Sequence, residues 1–174
     1  MMNLDLVFSF WLADFKFLEA GFTFISGRLF SFSLFAIFSL FMILSKRYRD
    51  LLFVFIALII GDFIGAQLKD LIQEARPCFN YFELFSQANI LEEPCGSRLT
   101  GMPSNHALNF FLFATLVYFL TRKKLLTIIL YLTAAAVGLS RVYLIKHLLS
   151  QVVIGAAIGI ILGIIFYNVY KNFR

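Results

Sequence analysis

Residues 51–68 read LLFVFIALIIGDFIGAQL, a run in which Asp62 is the one charged side chain. An apolar run of about this length is sufficient to cross the hydrocarbon core of a bilayer as a helix. Comparable runs lie on both sides of it, at residues 29–45, 105–121, 125–140 with its flanks, and 149–167. The sequence therefore predicts an all-α membrane protein built as a bundle of five transmembrane helices.

The composition supports this interpretation. The chain has 174 residues, of which 61% are hydrophobic and 14% are charged, whereas a soluble domain is typically about 45–50% apolar and about 25% charged. Such a chain has too little polar surface to cover itself in water, which argues against disorder, a soluble enzyme and a nucleic-acid-binding face. The net charge of +5 then indicates either membrane topology or an affinity for anionic partners.

The N-terminal segment is harder to place. Residues 4–25 are mostly apolar, but three charged side chains interrupt them, and large apolar residues recur there at steps of three and four. This pattern favours an amphipathic helix that lies in the membrane interface, within residues 1–28, over a sixth span. The interrupting residues are Asp14, Lys16 and Glu19.

Basic residues indicate the orientation. They form three clusters, which five alternating spans place on one side of the membrane, and the positive-inside rule makes that side cytoplasmic. Residues 69–104 and 141–148 then face the other compartment. The clusters are Lys46, Arg47 and Arg49, then Arg122, Lys123 and Lys124, then Lys171 and Arg174.

Both cysteines, Cys78 and Cys95, fall in the one sizeable loop between spans. A bridge between them would suit an oxidising compartment and would contribute roughly 3 kcal/mol in the chain-entropy model. Two free thiols fit the sequence equally well, because spacing alone gives no distance.

Polar residues with chemical potential concentrate on the side opposite the basic clusters. Each has an ordinary explanation: long cations mark the ends of spans, Ser104 caps a helix, and a histidine sits at an interface. Their convergence at one membrane face favours a different interpretation. Fixed cations, a helix N-terminus and two titratable bases together describe a site for a phosphate that reacts. The residues are Lys69, Arg76, Ser104, His106, Arg141 and His147.

The same residues carry a resemblance to a known family, the type 2 phosphatidic acid phosphatase superfamily of membrane phosphatases, related in fold to vanadium haloperoxidases. The family motif K-x6-R-P corresponds to Lys69 through Arg76-Pro77, and P-S-G-H corresponds to Pro103-Ser104-Asn105-His106. The motif S-R-x5-H corresponds to Ser140-Arg141 through His147. We expect one domain over residues 1–174, with a motif-bearing core at residues 53–167.

The resemblance implies a role for each matched position. His147 would be the nucleophile that takes the phosphoryl group as phosphohistidine, and His106 the general acid for the leaving oxygen. The phosphoryl oxygens would be held by three cations, a hydroxyl and a backbone amide, namely Lys69, Arg76, Arg141, Ser104 and Asn105. Phosphoryl transfer asks mainly for such positioning and charge neutralisation. No cluster with metal-ligand spacing is evident, so no metal or other cofactor is expected.

Two positions depart from the family pattern. Asn105 stands where relatives have Gly, and Gln151 stands where they commonly have an Asp that orients the nucleophilic histidine. Gln can hold the ring by a hydrogen bond but supplies no charge. Asp62 is a candidate substitute for that charge, or alternatively a partner for a buried cation elsewhere in the bundle.

A site at the membrane interface suits a lipid phosphate substrate, whose chains stay in the bilayer. We expect a bacterial inner-membrane protein whose active site faces the periplasm. Among the compact family members of this kind, the chain is most similar to lipid A 1-phosphatases. Undecaprenyl diphosphate and phosphatidylglycerophosphate phosphatases are the alternatives. A catalytically silent lipid-binding protein is an alternative of a different class, which Gln151 keeps open. No nucleic-acid partner is expected, and the oligomeric state is undetermined.

Overall fold

The computed structural model describes residues 3–173, and within that range the chain is helical, with no strand. The first part comprises α1 (Leu4–Ala13), one 3-10 turn (Lys16–Leu18), α2 (Glu19–Ile25) and α3 (Arg28–Leu44). The second comprises α4 (Tyr48–Ile72), the short helices α5 (Pro77–Asn80) and α6 (Phe82–Gln87), α7 (Asn105–Thr121), α8 (Lys124–Tyr143) and α9 (Leu149–Lys171). The all-α prediction is confirmed.

Five helices, α3, α4, α7, α8 and α9, occupy the positions of the five predicted spans. Three helical stretches of the described chain meet the length and hydropathy expected of a span: Tyr48–Gln87, which begins with α4, and the helices α8 and α9. Both α3 and α7 have 17 residues, close to the lower limit of about 17 for crossing a bilayer. The molecule is a multi-pass membrane protein.

The N-terminal segment forms no single helix over residues 4–25. It breaks after Ala13 and again after Ile25, and residues Lys16–Ile25 meet α3 at a bend of 53°. Helix α1 packs on α8 and α9, where Leu6 and Leu12 are buried. The break at the charged residues agrees with the prediction that this segment is not a continuous sixth span, and its interfacial position remains a prediction.

Helix α7 forms the centre of the bundle, between α4, α8 and α9. Its leucines 108, 112 and 116 are fully buried, because this stretch carries no charged side chain apart from His106 when it is protonated. Glycines on α4 and α9 allow the close approach. A Cβ at Gly155 would lie 2.5 Å from the Ser104 carbonyl oxygen, and one at Gly61 would lie 2.5 Å from Leu112.

The two ends of the bundle differ in chemistry. At one end, the Arg47 guanidinium bonds Asp50 and the Leu120 carbonyl, and Arg49 donates to the Phe173 carbonyl. These contacts bring the predicted basic clusters to a common end, as expected, although Arg174 lies outside the described residues. The other end gathers the last turns of α4 and α8, the first turns of α7 and α9, and the loops that join them.

Candidate active site

The loop after α4 packs at the end of the bundle where α4 and α8 end and α7 and α9 begin. Cys78 and Cys95 form a disulfide, which decides between the two alternatives that the sequence leaves open. The Cys78 amide donates to the Ile145 carbonyl over 3.0 Å, and Arg76 Nε donates to Thr100 Oγ1 over 3.1 Å. The loop therefore holds Arg76 against the turn that precedes α9.

His147 lies in that turn, between α8 and α9, and only 2% of its surface is exposed. Its Nδ1 lies 2.7 Å from the Gly101 carbonyl oxygen and 3.2 Å from Gln151 Oε1. Burial, followed by the charges of Arg141 and Lys69 and then of Arg76, lowers the pKa of His147 to about 3. The imidazole is consequently neutral near pH 7, the form in which a ring nitrogen carries a lone pair.

Two of the predicted phosphate-binding cations lie at helix ends. Lys69 is half-buried in the last turn of α4, and Arg141 is buried in the last turn of α8. An Arg141 Nη1 donates to the hydroxyl of Ser26, which precedes α3. Arg141 Nε has no hydrogen-bond partner within the described chain, so one donor of this guanidinium is free to bind an anion.

The first turn of α7 supplies neutral donors. Ser104 is the N-cap and is fully buried, and its amide donates to the Gln151 carbonyl over 3.1 Å. Its hydroxyl makes no capping bond and has no partner among residues 3–173. A buried hydroxyl without a partner at a helix N-terminus is well suited to receive an anion. His106 follows in the same turn and is half-buried.

Asn105 and Asp62 contact each other. Asn105 Nδ2 donates to Asp62 Oδ1 over 3.0 Å, and Asn109 Nδ2 donates to the same oxygen over 2.9 Å. Gly65 makes room for this arrangement, since a Cβ there would lie 2.5 Å from Asn105 Oδ1. Asp62 therefore binds two asparagines of α7, whereas the hydrogen-bond partners of His147 are Gly101 and Gln151.

Gln151, the second departure from the family pattern, is fully buried in the first turn of α9. Its Oε1 receives the Leu148 amide over 3.1 Å and lies beside His147 Nδ1. Its Nε2 donates to Glu74 Oε1 over 2.6 Å. Gln151 is thus placed to hold the histidine ring by a hydrogen bond.

Sequence reasoning missed several residues around the site. Ser26, Gly101 and Thr100 carry no motif signal, and each contacts its partner across many positions of the chain. Lys146 precedes His147, and burial, with the charges of Arg141 and Arg76, lowers its pKa. Its place within the S-R-x5-H spacing was the available signal. No group of three or more metal-ligating side chains occurs in the part of the chain that the structure describes.

A family model described as the PAP2 superfamily matches residues 50–174. Dolichyldiphosphatase 1 of Dictyostelium discoideum is 34% identical over 141 residues, covering 75% of this chain and 56% of that protein. The chain thus spans little more than half the length of this curated relative.

Two solved structures have a similar fold. LpxE of Aquifex aeolicus superposes with a TM-score of 0.72 at 23% identity, covering 96% of each chain. A PAP2-type phosphatidylglycerolphosphate phosphatase of Bacillus subtilis gives a TM-score of 0.70 at 24% identity, covering 94% of this chain and 79% of that one. At these identities the likeness establishes the fold.

Proposed function

We propose that this chain, which belongs to the PAP2 superfamily, hydrolyses the phosphate of a membrane lipid through a phosphohistidine intermediate on His147. The observation that carries the proposal is the environment of His147. It is a buried, neutral imidazole on which the charges of Arg141, Lys69 and Arg76 act. Transfer of an anionic phosphoryl group requires a nucleophile with cations close to it.

In the first step, the Nε2 lone pair of His147 attacks phosphorus and the bond to the leaving oxygen breaks. His106, in its imidazolium form, gives a proton to that oxygen and becomes neutral, so the lipid departs as an alcohol or a monophosphate. In the second step, neutral His106 takes a proton from water as the water oxygen attacks phosphorus, the bond between phosphorus and His147 Nε2 breaks, and inorganic phosphate leaves. The imidazole of His147 is then restored, and atoms and charge balance over the cycle.

The three cations and the Ser104 hydroxyl serve the transferring group. Lys69, Arg76 and Arg141 neutralise charge on the equatorial oxygens, and the partnerless Arg141 Nε and Ser104 Oγ are free to bind them. Such donors are effective when they are fixed before the reaction, because no reorganisation is needed in the transition state. The Asn105 backbone amide adds a donor at the helix N-terminus.

A lipid substrate suits the surroundings of the site. A groove of about 390 Å³ opens between α3, α4 and α7, with mainly apolar side chains such as Phe35, Phe55 and Phe113 along it. Asp62 and Asn109 line the same groove, and Asp62 also binds Asn105 beside the phosphate donors. A hydrocarbon chain in this groove would place its headgroup near the cations.

Within this class we favour the 1-phosphate of lipid A at the periplasmic face of a bacterial inner membrane. The overall resemblance of the chain to compact lipid A 1-phosphatases supports this choice. The orientation rests on the basic clusters at the opposite end of the bundle, which suit the cytoplasmic side. The disulfide in the loop beside the site suits an oxidising compartment.

A polyprenyl diphosphate is the second candidate substrate. The relative that is 34% identical is named as a dolichyldiphosphatase. Lys146 adds a fourth cation next to the nucleophile, and a second phosphate would use it. Phosphatidylglycerophosphate is the third candidate, because one solved structure of similar fold is named as its phosphatase.

A panel of purified lipids in detergent tests these proposals. Phosphate release would be measured for lipid A, undecaprenyl diphosphate and phosphatidylglycerophosphate, with the wild-type protein and with His147→Ala. Release by the wild type alone supports the phosphatase, and the highest kcat/KM identifies the substrate. If the wild type releases no more phosphate than His147→Ala from any lipid, the enzyme proposal fails and a lipid-binding role replaces it.

A further inference from the structure

The amide of Gln151 bridges the proposed nucleophile and a carboxylate. Gln151 Oε1 lies 3.2 Å from His147 Nδ1, and Gln151 Nε2 lies 2.6 Å from Glu74 Oε1. Gln151 is fully buried and Glu74 is partly buried. Relatives commonly carry an Asp at the position of Gln151. In this chain the nearest equivalent is the carboxylate of Glu74, which contacts His147 only through the Gln151 amide. That carboxylate comes from the K-x6-R-P segment of the chain.

The orientation of the amide follows from its other neighbours. The Leu148 N–H donates to Oε1, and the carbonyl of Ala75 accepts from Nε2 over 3.4 Å. A reversed amide would set a donor against the Leu148 donor and an acceptor against Glu74. The oxygen of Gln151 thus faces His147, and the nitrogen faces Glu74.

This orientation determines the tautomer of His147. Both neighbours of Nδ1, the Gly101 carbonyl and Gln151 Oε1, are acceptors, so Nδ1 carries the proton. Nε2 then holds the lone pair, which is the state that nucleophilic attack requires.

We infer that Glu74 is a positioning residue for the nucleophile, acting on His147 through the amide of Gln151; this inference rests on the proposed function. As Nε2 forms the bond to phosphorus, the imidazole becomes cationic while Nδ1 keeps its proton. Negative charge at Glu74 polarises the Gln151 amide, so its oxygen accepts more strongly from Nδ1–H. Glu74 thereby supplies, through the Gln151 amide, the negative charge that Gln151 itself lacks.

We call the chain of contacts from Glu74 through Gln151 to His147 the relay. Backbone contacts around Glu74 stabilise it. The Gly101 amide donates to the Glu74 carbonyl over 2.7 Å, while the Gly101 carbonyl lies beside His147 Nδ1. A Cβ at position 101 would lie 2.5 Å from the Ala75 carbonyl oxygen and 2.7 Å from Gln151 Nε2. Glycine at this position therefore lets the segment that carries Glu74 approach Gln151 and His147.

Isosteric variants separate charge from packing. Glu74→Gln keeps an acceptor for Gln151 Nε2 but removes the charge, and we expect kcat to fall roughly ten- to fiftyfold with KM within about twofold. Gln151→Glu places two carboxylates against each other and should be impaired. The double variant E74Q/Q151E moves the carboxylate next to His147 and should restore kcat to within about threefold of the wild type. Glu83→Gln, an exposed change in helix α6 of the same connection between α4 and α7, is the matched control.

The relay is wrong if Glu74→Gln keeps the wild-type kcat, or if the double variant is no better than Glu74→Gln. A wild type that releases no more phosphate than His147→Ala overturns the proposed function instead. Nitrogen NMR of the wild-type protein reports which ring nitrogen of His147 is protonated. This measurement does not depend on whether a variant folds or on enzyme activity. The chain has only two histidines, and we expect the His147 ring to be protonated at Nδ1; a ring protonated at Nε2 alone would contradict the relay.

Discussion

His147 is deeply buried and has positively charged neighbours, and both features favour the neutral form of its imidazole. In the proposed mechanism, His147 is therefore a nucleophile that needs no deprotonation near neutral pH. The site therefore divides its work among separate groups. Burial and cations keep the imidazole neutral, Gly101 and Gln151 hold its tautomer, and the proposed mechanism assigns the proton of the leaving group to His106.

A pH dependence of stability follows from this burial. The pKa of His147 is about 3 in the folded protein against an ordinary value of about 6.5, so between those values the unfolded chain binds more protons. The contribution of His147 to stability is thus complete above about pH 6.5 and is lost as the pH falls toward 3.

Unfolding in mixed micelles at pH 4.5 and pH 7 would measure this effect. The free energy of unfolding should drop more on acidification for the wild type than for His147→Asn, which has no titrating group at this position. An equal drop in the two proteins would show that His147 titrates alike in the folded and unfolded states.

The motif positions were predictable because their chemistry is encoded in short spacings, such as Arg141 to His147. Glu74 was not, because its partner Gln151 lies 77 positions away and a carboxylate between two cations has no signature of its own. Ser26 was missed for the same reason, since it meets Arg141 only after the chain folds back over 115 positions.

Among the helices, α7 has two neighbours, α4 and α9, that approach it through glycine. Gly155 faces the Ser104 carbonyl, Gly159 faces the Leu108 carbonyl, and Gly163 faces Thr115. This stripe brings the first turn of α9, with Gln151, against the first turn of α7, with Ser104. Helix packing in the middle of the membrane is therefore linked to the geometry of the site at its end.

Adding one methyl group tests this packing. A Cβ at position 159 would overlap the Leu108 carbonyl, so Gly159→Ala should destabilise the protein by roughly 1–3 kcal/mol and lower kcat. Gly21→Ala is the matched control, because a Cβ at position 21 has no atom within 4 Å. Thermal unfolding and phosphate release would be measured for both. Equal behaviour of the two variants would contradict the packing account.

The loop between α4 and α7 depends on its disulfide. Cys78 and Cys95 are 17 positions apart, and a closed loop of that size contributes about 3 kcal/mol in the chain-entropy model. Arg76 lies two residues before the bridge, so removal of the bridge should also loosen this proposed phosphate ligand. We expect the double change Cys78→Ser and Cys95→Ser to lower the melting temperature and raise KM.

Reduction of the wild type should reproduce both effects, and the serine variant should then be insensitive to reductant. A serine variant with the wild-type melting temperature and KM would show that the bridge supports neither the fold nor the site.

The boundaries of the elements were only partly predictable. The α4 span was expected from residue 51, but the helix begins at Tyr48 because Asp50 finds partners in Arg47 and Tyr170. The N-terminal segment breaks at its charged residues, as its interrupted pattern indicates. That α1 is tied to α9 could not be predicted: Asp5 accepts the Ser150 amide across 145 positions.

Over the whole molecule, the excess of basic residues divides between two ends of one bundle. At one end, Arg47 and Arg49 bond to carbonyls near the ends of other helices, an arrangement that suits anchoring at a charged membrane surface. At the other end, Lys69, Arg76 and Arg141 act on a buried histidine. With the proposed orientation and mechanism, the net charge of +5 serves membrane topology at one end and chemistry at the other.

Trapping the phosphoryl intermediate tests the central claim most directly. The wild type would be mixed for a short time with lipid labelled in its phosphate, quenched in alkali and digested. We predict a label that is stable in alkali, is lost in acid and maps to the peptide containing His147, as expected for phosphohistidine, and that is absent from His147→Ala. Undiminished phosphate release by His147→Ala, or a label on any other residue, would contradict the account.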